Sequence, residues 1–415
     1  MKISTVKGTN DWLPKEAALR DYLQNTILKT YQEHGFRHIM TPSIEDAENL
    51  DKSEGGENLN LIFKICKRGD KLLDAVDKVK DGASTNELSD LGLRYDLTLP
   101  LTRYYANNKD KLILPAKCIQ IDKVYRAERP QKGRMREFIQ CDIDILGSSS
   151  PCAEIELIDT TARALLNIGM TDFRMRINDR GLLRALLTAL GFEEAQLDSV
   201  CISFDKLDKI GAEGVAAELT EKGFSASAIE GLTNLLKEAP VTLERIGEVS
   251  GASEIVDRLT KIMEGTKALA DGAYDVVFDM SLVRGQGYYT GTVFEIESTK
   301  FKGAVGGGGR YDNLIGKFLG ESVPAVGFSI GFERIFGILL ESGYKIPAQK
   351  NQLALIYTED NFVEASKYAD TLRGEYDIAL FERPKKLGKL LDRLKEQEYN
   401  FFAVYGEEGG IKPLQ

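Results

Sequence analysis

Residues 116 to 146 constrain the fold more than any other part of this 415-residue chain. Ala116 to Tyr125 and Glu137 to Leu146 read as strands, joined by a polar loop marked by Pro130 and Gly133. Two strands linked that closely pair antiparallel. On the return strand the side chains alternate, so Gln140, Asp142 and Asp144 share one face while Cys141, Ile143 and Ile145 share the other. A carboxylate that faces inward from a sheet needs a partner, and an ammonium or imidazole N–H of a ligand would supply one. Arg126 falls at the end of the first strand. It brings a phosphate-binding group to the face that carries the Gln140 amide.

Further short β runs are expected at Leu93 to Leu97, Phe173 to Ile177, Tyr274 to Asp279, Thr292 to Ile296 and Phe328 to Ile330. Ile39 to Pro42 is expected to form another, after an amphipathic helix over residues 16 to 34 that Gly35 caps. Strands joined mostly by turns predict an α+β core with a mixed or antiparallel sheet, not a Rossmann domain. Between about Gly181 and Gly272 the texture turns helical and charged, which predicts an inserted helical domain. From about residue 350 to 415, strands and helices alternate as a small α/β domain with a largely parallel sheet. A chain of this length is expected to hold two or three domains.

The net charge of −10 argues against a general nucleic-acid coat, yet Lys123 to Glu137 carries six basic residues against two acidic ones. That segment is a concentrated anion site. A second run, Arg383, Lys385, Lys386, Lys389, Arg393 and Lys395, reads as a solvated helix face. Five scattered cysteines suit reduced thiols, and His34 and His38 have no acidic or cysteine cluster to complete a metal set. With only these two histidines, catalysis is expected to rest on arginines, carboxylates, glutamine and tyrosine. No apolar run is long enough to span a bilayer, so a cytoplasmic location with no membrane partner is expected.

Val283 to Gly291 places Arg284 before two glycines and the adjacent Tyr288 and Tyr289. Arginine offers a planar charged fork, and tyrosines offer apolar walls with a polar tip. A tight turn between core strands explains the same residues. Gly306 to Gly309, followed by Arg310, Tyr311 and Asp312, would permit close backbone approach to a ligand. Gly327 to Phe336 reads as a strand turning into a helix that carries Arg334 in its first turns, where it can reach a polyphosphate.

Together these segments resemble, in order and over nearly the whole chain, the histidyl-tRNA synthetases, a family of class II aminoacyl-tRNA synthetases. Lys7 to Pro14 resembles the family's N-terminal signature, and Gly35 to Pro42 with Glu45 resembles motif 1, the unit at the dimer interface. Arg94 to Thr98 resembles the loop that holds the amino group. Tyr125 to Gly147 resembles motif 2, and Gly331 to Arg334 motif 3. Val283 to Gly291 and Gly308 to Asp312 resemble histidine-specific signatures.

The resemblance implies a class II catalytic domain over residues 1–345, with the helical insertion at about 181–272, and an anticodon-binding domain over 350–415. It implies that Asp96, Thr98 and Gln140 hold the ammonium end of histidine, with Asp144, Tyr288, Tyr289 and Tyr311 around the imidazole. Arg126 and Arg284 would grip the α-phosphate and act in catalysis. Arg134 would hold the γ-phosphate, and Arg334 the remaining ATP contacts. Arg129 and Gln131 match positions that read the extra 5′ guanosine of histidine tRNA. The partners implied are histidine, ATP with magnesium as its substrate complex, histidine tRNA and a second copy of the chain. No tightly bound cofactor and no metal site are expected.

Two features depart from the family's pattern: Gln286 and Gly287 stand where leucine and aspartate are usual, and the C-terminal α/β segment is short. The alternative reading is a non-catalytic histidine-binding paralogue that regulates ATP phosphoribosyltransferase.

Overall fold

The computed structural model describes residues 3–51, 61–131, 133–204, 206–238, 241–283 and 288–414. It divides into two compact units, Met1–Tyr344 and Lys345–Gln415.

Among the described residues the first unit is built on an eight-stranded sheet. Its strands in chain order are β1 (Arg37–His38), β5 (Ala116–Tyr125), β6 (Glu137–Leu146), β7 (Phe173–Asp179), β8 (Asp275–Phe278), β9 (Thr292–Ser298), β10 (Ala304–Arg310) and β11 (Ala325–Gly331). Three shorter strands, β2 (Ile44–Asp46), β3 (Lys64–Cys66) and β4 (Ser89–Leu93), form a separate small sheet in the order β2-β4-β3. The large sheet runs β1-β5-β6-β11-β10-β9-β7-β8, antiparallel except at its two edges, where β1 joins β5 and β7 joins β8 in parallel. The predicted hairpin is present in full, with Ala116 opposite Leu146 and Tyr125 opposite Glu137.

The helix Pro14–Glu33 lies against this sheet and buries Leu19, Leu23, Ile27 and Tyr31, which recur at helical spacing. Its Arg20 makes a bidentate pair with Glu333, both bonds 2.7 Å, on the helix Phe332–Glu341 that follows β11. The guanidinium also lies 4.2 Å from the centroid of the Trp12 ring. This pair joins residues 313 positions apart, so no local pattern announces it.

Two expected strands are displaced. Ile39 to Pro42 follows a strand rather than forming one: β1 ends at His38, and the Ile39 amide makes a last bond to the Ile119 carbonyl of β5 at 2.9 Å. The expected strand Leu93 to Leu97 is instead β4, which ends at Leu93. Beyond it the buried Arg94 is drawn inward, with Nη1 donating to the Thr41 carbonyl at 2.7 Å and Nε to that of Lys123 at 2.9 Å. Asp96 then accepts from the Leu99 amide at 3.1 Å in the first turn of the helix Thr98–Asn108.

The helical segment begins at Arg180, where Asp179 Oδ1 accepts from the amides of Gly181 and Leu182, and its last helix is Ser253–Ala270. That last helix packs on the helix Pro151–Asn167 and on β8, so this end of the segment is part of the core. Arg258 donates to Glu154 at 2.8 Å, and Glu154 also takes both forks of Arg310 at 2.8 Å.

In the second unit, β12 (Asn351–Tyr357), β13 (Tyr376–Glu382) and β14 (Phe401–Val404) pair in parallel in the order β13-β12-β14. The short β15 (Lys412–Pro413) adds antiparallel to β14, an addition the alternating pattern does not announce. Leu353, Leu355, Ala365, Ala369 and Ala403 form its core. The basic residues from Arg383 to Lys395 are exposed, as a solvated face requires.

Candidate active site

A cleft of about 380 Å³ opens on one face of β6, β10 and β11. Of the residues singled out in the sequence, Asp96, Thr98, Arg126, Arg134, Gln140, Asp144, Tyr288, Tyr289, Tyr311 and Arg334 all line it. Arg129 and Gln131 do not line the cleft and are exposed on the loop between β5 and β6. That loop turns tightly through a pair of backbone bonds between Gln131 and Arg134, 3.0 and 2.9 Å long. Arg284, Gln286 and Gly287 lie outside the described residues.

The cleft has two chemical ends. At one, Tyr311 donates its hydroxyl to Asp144 Oδ1 at 2.5 Å, and the rings of Tyr288, Tyr289 and Tyr311 pack edge to face with centroids 4.8 and 6.0 Å apart. Gly327 makes this arrangement possible: a Cβ there would fall 1.9 Å from Asp144 Oδ1. Gly309 does the same for Tyr289, whose ring would lie 2.8 Å from an added Cβ. The close approach expected of the glycine run is therefore made, at Gly308 and Gly309, to the chain's own strands and tyrosine.

At the other end stand the arginines. Arg126 Nε donates to the Tyr95 carbonyl at 3.0 Å, and its guanidinium lies 5.0 Å from the Phe138 centroid, which fixes the fork's direction. Arg334 is held by the Ala304 carbonyl and lies 5.5 Å from the Phe301 centroid. Arg134 reaches Glu128 at 3.4 Å and remains about half exposed, free to change partner. Three guanidiniums lining one cleft suit a polyanion, and Arg126 is also near enough to act against the burial that raises the Asp96 and Asp142 carboxyls.

Between these ends, Asp96, Asp142 and Asp144 share one buried space. Burial pushes Asp144 up to about 7, opposed by the Tyr311 hydrogen bond. Burial likewise raises Asp96, and it raises Asp142 well above the usual carboxylate range, with the Asp144 charge adding to the shift. Asp142 Oδ1 and Gln140 Oε1 are buried and make no hydrogen bond. The alternation in β6 had put Asp142 on this face, but no motif marked it for a role. Ser329, Phe138 and Glu128 also line the cleft without having been singled out.

An antiparallel sheet flanked by helices, with arginines from the β5–β6 hairpin and from the helix after β11 meeting over one cleft, is the architecture of a class II aminoacyl-tRNA synthetase. Residues 8–335 match the family described as histidyl-tRNA synthetase. The chain belongs to the histidyl-tRNA synthetase family. It is 40% identical to a histidine–tRNA ligase of Leifsonia xyli subsp. xyli, over 97% of this chain and 95% of that protein. The crystal structure of histidyl-tRNA synthetase from Nostoc sp. PCC 7120 superposes with a TM-score of 0.82 at 27% identity, covering 100% of this chain and 95% of that one. An ATP phosphoribosyltransferase regulatory subunit/histidyl-tRNA synthetase from Bacillus halodurans C aligns with a TM-score of 0.79, covering 98% and 100%. At 21% identity, that last likeness shows the fold.

Proposed function

We propose that this cleft joins histidine to ATP and then passes histidine to the 3′ end of histidine tRNA, the reaction of a histidine–tRNA ligase. The observation that carries the reading is the single cleft in which Arg126, Arg134 and Arg334 face a buried group of three carboxylates and three tyrosines. In the first step a histidine carboxylate oxygen attacks the α-phosphorus of ATP in line, and pyrophosphate leaves. Charge that builds on the phosphoryl oxygens meets guanidiniums already aimed by Tyr95, Phe138 and Phe301, so no protein base is required. In the second step the terminal tRNA hydroxyl attacks the carbonyl carbon, AMP leaves, and a phosphate oxygen takes the proton.

In this reading Asp96, Thr98 and Gln140 take the ammonium end, while Asp144, Tyr288, Tyr289 and Tyr311 enclose the imidazole. Arg126 and Arg284 take the α-phosphate, Arg134 the γ-phosphate and Arg334 the rest of the nucleotide. Magnesium enters with ATP as part of the substrate. Arg129 and Gln131 face the tRNA acceptor end, the unit 345–415 binds the anticodon, and two copies of the chain assemble through the segment around Phe36 to Glu45. The proposed place of action is the cytoplasm; among the described residues no helix is long and apolar enough to cross a membrane.

A histidine-binding regulator would need only the carboxylate end of this cleft. Arg134 and Arg334 at the other end favour the ligase. Histidine-dependent exchange of pyrophosphate into ATP tests the first step, and charging of histidine tRNA tests the second. Folded protein that shows no exchange refutes the reading.

A further inference from the structure

We infer that the Asp142 carboxylate is a third recognition group of the cleft, accepting an N–H from the α-ammonium of the bound amino acid beside Asp96 and Gln140. The inference rests on reading the cleft as a histidine site, and it adds a residue that none of the motifs assigns.

Asp142 is 4% exposed and lines the cleft, yet its Oδ1 has no hydrogen-bond partner. Its cross-strand neighbours explain why. On β5 it stands opposite Gln120, whose amide donates to the Leu97 carbonyl at 2.8 Å and whose oxygen accepts from Thr41 Oγ1 at 2.9 Å. Both ends of that side chain are engaged in holding the segment before the helix Thr98–Asn108, and it makes no hydrogen bond to Asp142 Oδ1. On β11 Asp142 stands opposite Ser329, which receives Gln140 Nε2 at 3.2 Å and hydrogen-bonds Asp142. One hydroxyl donor cannot serve both carboxylate oxygens.

Gln140 Oε1 is left in the same condition two residues away on the same face. Two buried acceptors about 7 Å apart along the strand therefore point into one cleft with no donor from the protein. Buried polar atoms are rarely left so, and a ligand with several N–H donors completes both.

The charge around Asp142 selects which ligand group that is. Asp144 faces it from β6, Asp96 from the turn before the helix Thr98–Asn108, and Arg126 from the end of β5. Two carboxylates against one guanidinium leave the space negative, so a full cation fits better than a neutral donor. Of histidine's two basic groups, the α-amino group is charged at neutral pH, while an imidazole that titrates near 6.5 is largely neutral. Tyr311 fixes Asp144 among the tyrosines, which leaves the Gln140 and Asp142 end for the ammonium. Burial, and after it the Asp144 charge, raises the pKa of Asp142, and a cation held against these carboxylates would offset that repulsion.

The test uses the full chain, with Asp142→Asn and Asp142→Ala compared in histidine-dependent pyrophosphate exchange. The KM for histidine is expected to rise about 10- to 100-fold, as for loss of a charged hydrogen bond, with kcat and the KM for ATP little changed. Inhibition by histamine, which keeps the ammonium and the imidazole, should weaken by a similar factor. Inhibition by 3-(imidazol-4-yl)propionate, which lacks the ammonium, should hold or improve. If the alanine variant does not fold, the isosteric Asp142→Asn carries the comparison.

Equal weakening of both inhibitors overturns the assignment to the ammonium. Wild-type exchange with an unmoved histidine KM in Asp142→Asn overturns the role of Asp142 alone. A wild-type protein that neither binds histidine nor exchanges pyrophosphate overturns the reading of the whole cleft.

Discussion

Tyr311, which directly follows β10, and Asp144 on β6 share a 2.5 Å hydrogen bond across the intervening β11, with both side chains less than 5% exposed. The tyrosine is the donor, because its own acidity is suppressed by burial and by the Asp144 charge. It therefore orients a carboxylate oxygen toward the cleft. In Tyr311→Phe that oxygen loses its partner, and the KM for histidine is expected to rise about tenfold or more. The KM for ATP should move little. Parallel titrations of histidine and ATP in pyrophosphate exchange separate these effects, and an equal rise in both would refute the specific role.

Asp144 also makes the unliganded protein sensitive to pH. Its folded value of about 7 stands above the 3.8 of a free aspartate, so the protonated form is favoured by folding. The stability this gives is fully present below the unfolded value and is lost as pH rises through about 7. Asp144→Asn removes the titration. The variant should gain on wild type between about pH 4 and 7, by at most about 4 kcal/mol, and hold a constant difference above that. Urea unfolding across this range, without ligand, measures the difference. Asp96 and Asp142 titrate in the same space, so the comparison with the Asn variant, not the wild-type curve alone, isolates Asp144.

Gly327 is required by the contact it permits. Gly327→Ala would set a methyl group 1.9 Å from Asp144 Oδ1, and either the carboxylate or strand β11 must shift. Displacement of the carboxylate would raise the histidine KM by about tenfold or more, as for a lost charged hydrogen bond. Unchanged histidine kinetics in Gly327→Ala would mean that Asp144 does not contact the substrate.

The hairpin that forms the floor of this site could be read directly from the sequence, because alternation over Gln140 to Ile145 is local and one face of β6 must be apolar. The alternation of strands and helices after residue 350 was legible for the same reason. What sequence could not supply were contacts made at long range. Arg310 stands beside Tyr311 in a histidine-like signature, yet its guanidinium is spent on Glu154, 156 residues away. Arg94, in the segment compared to the amino-group loop, is buried as a clamp on Thr41 and Lys123. Asp142 was visible as a residue on the right face, but only the folded structure shows that its Oδ1 is buried with Gln120 and Ser329 bonded to other atoms.

The Arg20–Glu333 pair gives a prediction about stability. Both side chains are less than 10% exposed, and Glu333 Oε1 also accepts from the Ile139 amide at 3.2 Å on β6. Removing one partner strands a buried charge, so Arg20→Ala should cost about 3–5 kcal/mol. Arg20→Lys keeps the charge but loses the fork and its stacking on Trp12, and should recover only part of that. Denaturant unfolding gives both numbers, and a loss below about 1 kcal/mol for Arg20→Ala would place the pair among weak surface pairs.

Arg129 and Gln131 lie outside the cleft, while Arg134, closing the same tight turn, lines it. This separation within one loop predicts a separation of function. Arg129→Ala and Gln131→Ala should leave histidine-dependent exchange within about twofold of wild type, as surface changes remote from the reacting atoms do, while raising the KM for tRNA in charging. Arg129→Ala should also flatten the salt dependence of tRNA binding by roughly one phosphate contact. Arg134→Ala should lower exchange itself, since Arg134 lines the cleft proposed to hold ATP. Exchange lost to the same degree in all three variants would show that the turn acts as one structural unit, and would remove the grounds for assigning Arg129 and Gln131 to tRNA.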